Sequence, residues 1–187
     1  MTKIAVLASH NGSGLDALYK ASIEKVLDIE IALVISNNTN AKALQNANKY
    51  KIANFVLNDT TNQNPHAKMQ ELLHAYDCQY IFLSGYMKKL PSNITNNFKV
   101  INSHPSLLPK YGGAGMYGRF VHEAVINNCE LTSGVTIHEV NENYDEGKII
   151  LQKSITLSEN ETVDSLEEKI KKLEATAIVE GFGLCLK

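Results

Sequence analysis

Apolar and polar residues along this chain follow two periods, and each change of period marks an element. Ile4-Ala5-Val6-Leu7 is a continuous apolar run inside residues 3–8 and predicts a short buried strand. A loop follows, then a helical pattern through about residue 26. Ile29 to Ser36 predicts a second strand, and Asn37-Asn38-Thr39-Asn40 the turn after it. A helix is expected over roughly 41–50 and a third strand over Ala53-Asn54-Phe55-Val56-Leu57. Another helix is predicted from about 65 to 76, then strands at Gln79-Tyr80-Ile81-Phe82-Leu83-Ser84 and Val100-Ile101-Asn102-Ser103-His104. Strands alternating with helices of this length predict βαβ units. The expected class is α/β, with a Rossmann-like, mostly parallel twisted sheet flanked by helices, in a single domain over residues 1–187.

The last third changes character. Ser133 to Val140 and Lys148 to Leu157 predict two strands joined through a turn at Asp145-Glu146-Gly147. Thr162 to Ile178 predicts a helix, capped by Thr162, with Val163, Leu166, Ile170 and Leu173 at helical spacing.

Composition narrows the function classes. A length of 187 residues suits one domain with a sizeable core. The formal charge is −2 and Arg119 is the only arginine, so no bulk attraction to nucleic acid or membrane is expected. Lys88-Lys89 and Lys171-Lys172 are the densest basic features and read as solvated surface. Cys78, Cys129 and Cys185 are widely spaced and odd in number, which argues against a disulfide framework or zinc site and for a reducing compartment. The first apolar run is too short for a signal peptide or membrane span, so the cytoplasm is the expected location.

Four segments carry candidate chemistry. Asn11-Gly12-Ser13-Gly14 lies between the first strand and its helix. Backbone N–H groups there suit a phosphate, and a capped turn that binds nothing fits equally well. The spacing matches neither a dinucleotide fingerprint nor a Walker loop. In Asn102-Ser103-His104-Pro105, strand alternation puts Asn102 and His104 on one face. Pro105 ends the strand, so both side chains stand at a carboxyl strand end, where α/β sheets bind ligands. Asn can donate to an oxyanion and His can move a proton; a polar strand end bonding the next loop is the alternative. Asp145 sits in Tyr144-Asp145-Glu146-Gly147, which reads first as an ordinary turn. His138 shares a strand face with Thr136 and reads as a packed histidine or a support for the site. Gly112 to Gly118 is glycine-rich and reads as a surface connection or a loop that closes over a substrate.

Asn102-Ser103-His104-Pro105-Ser106-Leu107-Leu108-Pro109 resembles the central motif of the folate-dependent formyltransferases, and the likeness spans nearly the whole chain. The resemblance implies the formyltransferase fold and transfer of a formyl group from 10-formyltetrahydrofolate to the amine of glycinamide ribonucleotide, in purine synthesis. It implies that Asn102, His104 and Asp145 are the catalytic trio, with Asp145 favouring the charged form of His104. Asn11, Gly12, Ser13 and Gly14 would hold the substrate phosphate, and Glu174 would contact the same substrate. Met87, Lys88, Leu90, Val140 and Asn141 match the folate pocket. No metal is expected, and the expected assembly is a monomer or homodimer.

This chain departs from the pattern at three places. Gly14 stands where asparagine is common, keeping only a backbone N–H, and Lys88 stands where arginine is common, without a bidentate fork. The 112–118 loop looks longer than in many members. Two related activities share this motif: hydrolysis of 10-formyltetrahydrofolate, whose enzymes resemble this domain plus an N-terminal regulatory domain, and formylation of methionyl-tRNA, which adds a C-terminal RNA-binding domain. A non-catalytic phosphate- or nucleotide-binding module is a third reading, and the presence of Asn102, His104 and Asp145 together argues against it.

Overall fold

The computed structural model describes residues 1–186. The elements run β1 (Thr2–Leu7), α1 (Ser13–Ile23), β2 (Ile29–Ser36), α2 (Lys42–Lys49), β3 (Ala53–Val56), α3 (Pro65–Ala75) and β4 (Tyr80–Leu83). They continue with α4 (Ser92–Thr95), β5 (Lys99–His104), α5 (Arg119–Asn127), β6 (Thr132–Glu139), β7 (Ile149–Thr156) and α6 (Val163–Cys185). The chain packs as two compact units, Met1–Ile101 and the part beginning at Asn102.

In the first unit the strands lie in the order β3-β2-β1-β4. The pairs β1–β2, β1–β4 and β2–β3 are all parallel. Ile4 through Leu7 are fully buried, as are Leu33, Val34, Ile35, Ile81 and Phe82. Parallel strands covered on both faces need apolar side chains on both, which explains runs without polar alternation. Helix α1 buries Gly14, Leu15, Leu18 and Ala21. It stops short of the expected residue 26 because Lys25 turns left-handed, φ 56°, and the Val26 and Leu27 N–H groups both donate back to the Ala21 carbonyl.

In the second unit β6 and β7 pair antiparallel, Thr132 opposite Thr156 and Ile137 opposite Leu151, with an irregularity between Ile137 and His138. Helix α6 buries Leu166, Ile170, Ala177, Ile178, Gly181 and Phe182. It runs past the expected Ile178 because Gly181 and Phe182 continue the buried stripe. Its start is the expected one: Thr162 Oγ1 accepts from the Ser165 N–H, and Ser165 Oγ accepts from the Thr162 N–H.

Two helices were not anticipated. The single turn α4 follows Pro91 and is too short for a periodic signal. Helix α5 buries only Val121, His122 and Val125, and the glycine-rich segment before it masks where its pattern begins. Among the described residues, no helix is long and apolar enough to cross a membrane.

Candidate active site

The end of β5 sets the site. Alternation along the strand sends Asn102 and His104 to one face and Ser103 to the other. His104 is buried, 4% exposed. Its Nε2 donates to the Tyr111 carbonyl at 2.7 Å; a carbonyl only accepts, so this nitrogen carries the proton. Nδ1 of His104 lies 3.6 Å from Asp145 Oδ1.

His138 of β6 completes the group. Its Nε2 also lies 3.6 Å from Asp145 Oδ1. Its Nδ1 donates to the Glu139 carbonyl at 2.9 Å, which leaves Nε2 of the neutral ring bare to accept from Asn102 Nδ2 at 3.1 Å. Burial pulls the His138 pKa below the ordinary histidine value, outweighing the Glu139 bond and the Asp145 charge. The neutral tautomer and the lowered pKa agree. His138 is therefore a packed histidine that also bonds Asn102.

Asp145 is a turn residue whose carboxylate faces both histidines. Its φ of 57° is left-handed, a conformation aspartate tolerates better than most side chains. Its Oδ2 accepts from the Gly113 N–H at 2.9 Å. Two residues on, a Cβ at Gly147 would lie 1.7 Å from the Glu139 carbonyl oxygen. Only glycine fits there, and that close approach holds the turn against β6. Val140 is half-buried and Asn141 exposed, with Asn141 Oδ1 accepting from the Asn143 N–H at 2.9 Å.

Glu174 on α6 accepts from Ser103 Oγ at 2.6 Å. Burial raises its pKa, although the Ser103 bond and Lys171 pull the other way. Among the described residues it has no hydrogen bond or ion pair with Asn102, His104 or Asp145. The Ser103 contact was not anticipated; strand alternation does signal that Ser103 faces away from the trio. The Tyr111 carbonyl and Gly113 N–H were also missed, because backbone groups leave no mark in a sequence. Among the described residues no group of three or more His, Cys, Asp and Glu is placed to hold a metal ion.

The first unit holds the glycine loop. Gly12 caps α1 in a left-handed conformation, φ 66°, and a Cβ there would lie 2.7 Å from the Ala43 Cβ. Among the described residues the N–H groups of Asn11, Gly12 and Ser13 have no hydrogen-bond partner. Gly14 differs: its N–H donates to the buried Ser84 Oγ at 2.9 Å. The backbone donor expected at Gly14 thus has a partner within the chain. Ser9, buried, donates to Asn37 Oδ1 at 2.5 Å and accepts from the Met87 N–H at 2.8 Å. That hydroxyl joins the turn after β1 to the segment carrying Met87 and Lys88, both exposed, while Leu90 is buried.

The geometry is that of a donor set for a carbonyl oxygen with a proton-transfer group beside it. Asn102 has an amide hydrogen beyond the one given to His138, and His104 stands against a carboxylate. The formyl transferase family model matches residues 2–181, running through both units. The chain is 34% identical over 179 residues to the phosphoribosylglycinamide formyltransferase of Bacillus subtilis, covering 93% of this chain and 89% of that one. It is 35% identical over 179 residues to the Haemophilus influenzae enzyme of the same name, covering 93% and 82%. The structure of glycinamide ribonucleotide transformylase 1 from Symbiobacterium toebii superposes with a TM-score of 0.90 at 28% identity, over 98% of this chain and 86% of that one. On the match of the family model over nearly its whole length, this chain belongs to the formyl transferase family.

Proposed function

We propose that the protein transfers the formyl group of 10-formyltetrahydrofolate to the amine of glycinamide ribonucleotide, as one cytoplasmic domain in purine synthesis. The observation that supports this reading is the cluster in which Asn102 donates to His138 and Asp145 Oδ1 lies 3.6 Å from both His138 Nε2 and His104 Nδ1. The names of the relatives support the choice of acceptor.

The substrate amine attacks the formyl carbon, and a tetrahedral oxyanion forms. Asn102 donates its remaining amide hydrogen to that oxygen. His104 is the second donor, once its Nε2 leaves the Tyr111 carbonyl. Collapse breaks the bond between the formyl carbon and the folate nitrogen. The amine loses a proton and the folate nitrogen gains one. Asp145 orients His104 and a relaying water, and neutral His138 orients Asn102 by accepting one of its two amide hydrogens. The free N–H groups of Asn11, Gly12 and Ser13 hold the ribonucleotide phosphate at the start of α1, and Glu174 contacts the same substrate. Met87, Lys88, Leu90, Val140 and Asn141 take the folate.

Incubation with 10-formyltetrahydrofolate, with and without glycinamide ribonucleotide, tests the reading. Formyl loss that depends on the ribonucleotide is the expected result. Loss without an acceptor makes the protein a hydrolase, and no loss in either mixture removes the catalytic reading.

A further inference from the structure

Glu174 has a single hydrogen bond among the described residues, and it comes from a side chain the proposed reaction does not use. Ser103 Oγ donates to Glu174 Oε1 at 2.6 Å, the length of a hydroxyl bonded to an ionised carboxylate. Both residues are half-buried. The unpartnered side-chain polar atoms that are closed to solvent are His122 Nδ1 and Ser133 Oγ. Glu174 Oε2 is unpartnered and is not one of them, so solvent reaches it. One oxygen of the carboxylate is thus pinned and the other is open.

We propose that Ser103 is a positioning residue: its hydroxyl turns and holds the Glu174 carboxylate so that Oε2 accepts a hydrogen bond from a hydroxyl or N–H of the ribonucleotide. This role rests on the formyl-transfer reading, which supplies the substrate. Strand alternation puts Ser103 on the face opposite Asn102 and His104. The Glu174 contact therefore falls on a part of the substrate away from the reacting carbon. Loss of such a contact weakens ground state and transition state equally, which raises KM and spares kcat.

The serine also decides the form of the carboxyl group. An ionised carboxylate only accepts, whereas a protonated one donates. Burial raises the Glu174 pKa, while the Ser103 bond and the charge of Lys171 pull it down. Lys171, one turn earlier on α6, donates to Glu167 Oε1 at 2.5 Å, so Ser103 is the group that bonds Glu174 directly. Charged and titratable groups from the elements packed on α6 pair elsewhere. From α5, Arg119 pairs with Asp164 and Glu167, and His122 interacts with Glu167 and Lys171. From β7, Lys153 pairs with Glu180, and from β6, His138 faces Asp145. On α6 itself, Lys169 pairs with Glu161 and Lys172 with Glu168. Without the serine hydroxyl, burial is opposed by Lys171 alone, and the acceptor is lost at a higher pH.

The test compares Ser103→Ala with Ser103→Thr in the full chain; threonine keeps the hydroxyl and suits a strand. Carbon-13 NMR of the Glu174 carboxyl, without substrate, should show its titration about one pH unit higher in Ser103→Ala, as for loss of one hydrogen bond to a charged group. In steady-state kinetics the same variant should raise KM for glycinamide ribonucleotide roughly tenfold, with kcat and KM for 10-formyltetrahydrofolate little changed. The acid limb of kcat/KM for the ribonucleotide should move to higher pH with the carboxyl. Ser103→Thr should restore most of each value. In a Glu174→Ala background, Ser103→Ala should raise KM no further. An unmoved carboxyl titration, an additive rise in KM, or a threonine variant as impaired as the alanine one overturns the role. So does a fall in kcat with a rise in both KM values, the mark of a distorted β5. Absence of ribonucleotide-dependent turnover in the parent protein is failure of the formyl-transfer reading and removes the substrate role with it. An unmoved titration in a protein that turns over is failure of the Ser103 role alone.

Discussion

The two units make their candidate sites from different materials. In Met1–Ile101 the candidate donors are backbone N–H groups of Asn11, Gly12 and Ser13, which have no hydrogen-bond partner among the described residues. In the unit beginning at Asn102 the candidate groups are side chains gathered from several segments: Asn102 donates to His138, His104 donates to the Tyr111 carbonyl, and Asp145 Oδ1 lies 3.6 Å from a ring nitrogen of each histidine. A backbone donor needs only local conformation, which a glycine at the right φ provides. A side-chain network needs partners from distant segments; Asn102 and His138 are 36 residues apart. The first kind of site should be sensitive to its glycines and indifferent to most side chains. The second should be sensitive to side chains and survive as a fold without them.

The largest expected effect is on the side-chain network. Asn102→Ala should lower turnover about 100- to 1,000-fold, as for loss of one oxyanion donor. Asp145→Asn should lower it roughly 100- to 10,000-fold, as for loss of a proton-transfer group. Circular dichroism should show both variants folded. Near-normal turnover in either would remove that residue from the chemistry.

The glycine loop should respond in the opposite way. Gly12→Ala forces a side chain into φ 66° and against Ala43, which should destabilise the protein by about 1–3 kcal/mol and raise KM for the ribonucleotide. Ser13→Ala keeps the backbone donor and should leave KM nearly unchanged. Urea unfolding and steady-state kinetics measure the two. A large rise in KM for Ser13→Ala would mean that the hydroxyl, rather than the backbone, holds the phosphate.

A smaller effect checks the second unit as a fold. Thr162→Ala removes the acceptor that caps α6 and should cost about 1 kcal/mol, with turnover unaffected. A matching loss of turnover would mean that the start of α6 also positions the site.

The smallest effects are in the pH dependence of stability. Burial lowers the pKa of His138 and His122 from 6.5. The unfolded chain then takes up protons at a higher pH than the folded one. Their contribution is full above pH 6.5 and is lost as pH falls through the lowered values. Glu174 runs the other way: its raised pKa gives a contribution present below 4.5 and lost as pH rises through the raised value. Thermal melts should show both slopes, and Glu174→Gln should abolish only the second. A Glu174→Gln protein with an unchanged pH profile would mean its carboxyl is already solvated.

Much of this protein was legible before any coordinates. The apolar run Ile4–Leu7 and the stripe Leu166, Ile170 had one arrangement each that buried them, because strand and helix periods are properties of the local chain. The placement of Asn102 and His104 on one face followed from the same alternation, and the Thr162 cap from its position before that stripe. The tertiary structure alone decided what those side chains meet. Nothing local could show that Asp145 faces both His104 and His138 from its turn, that Glu174 lands on Ser103, or that Ser84 occupies the Gly14 N–H. Hydrogen bonds of this kind join segments far apart in sequence, and a backbone carbonyl such as that of Tyr111 has no residue letter of its own. Local sequence set which groups were available, and chain packing set their partners, because periodicity is a short-range property and hydrogen-bond pairing is not.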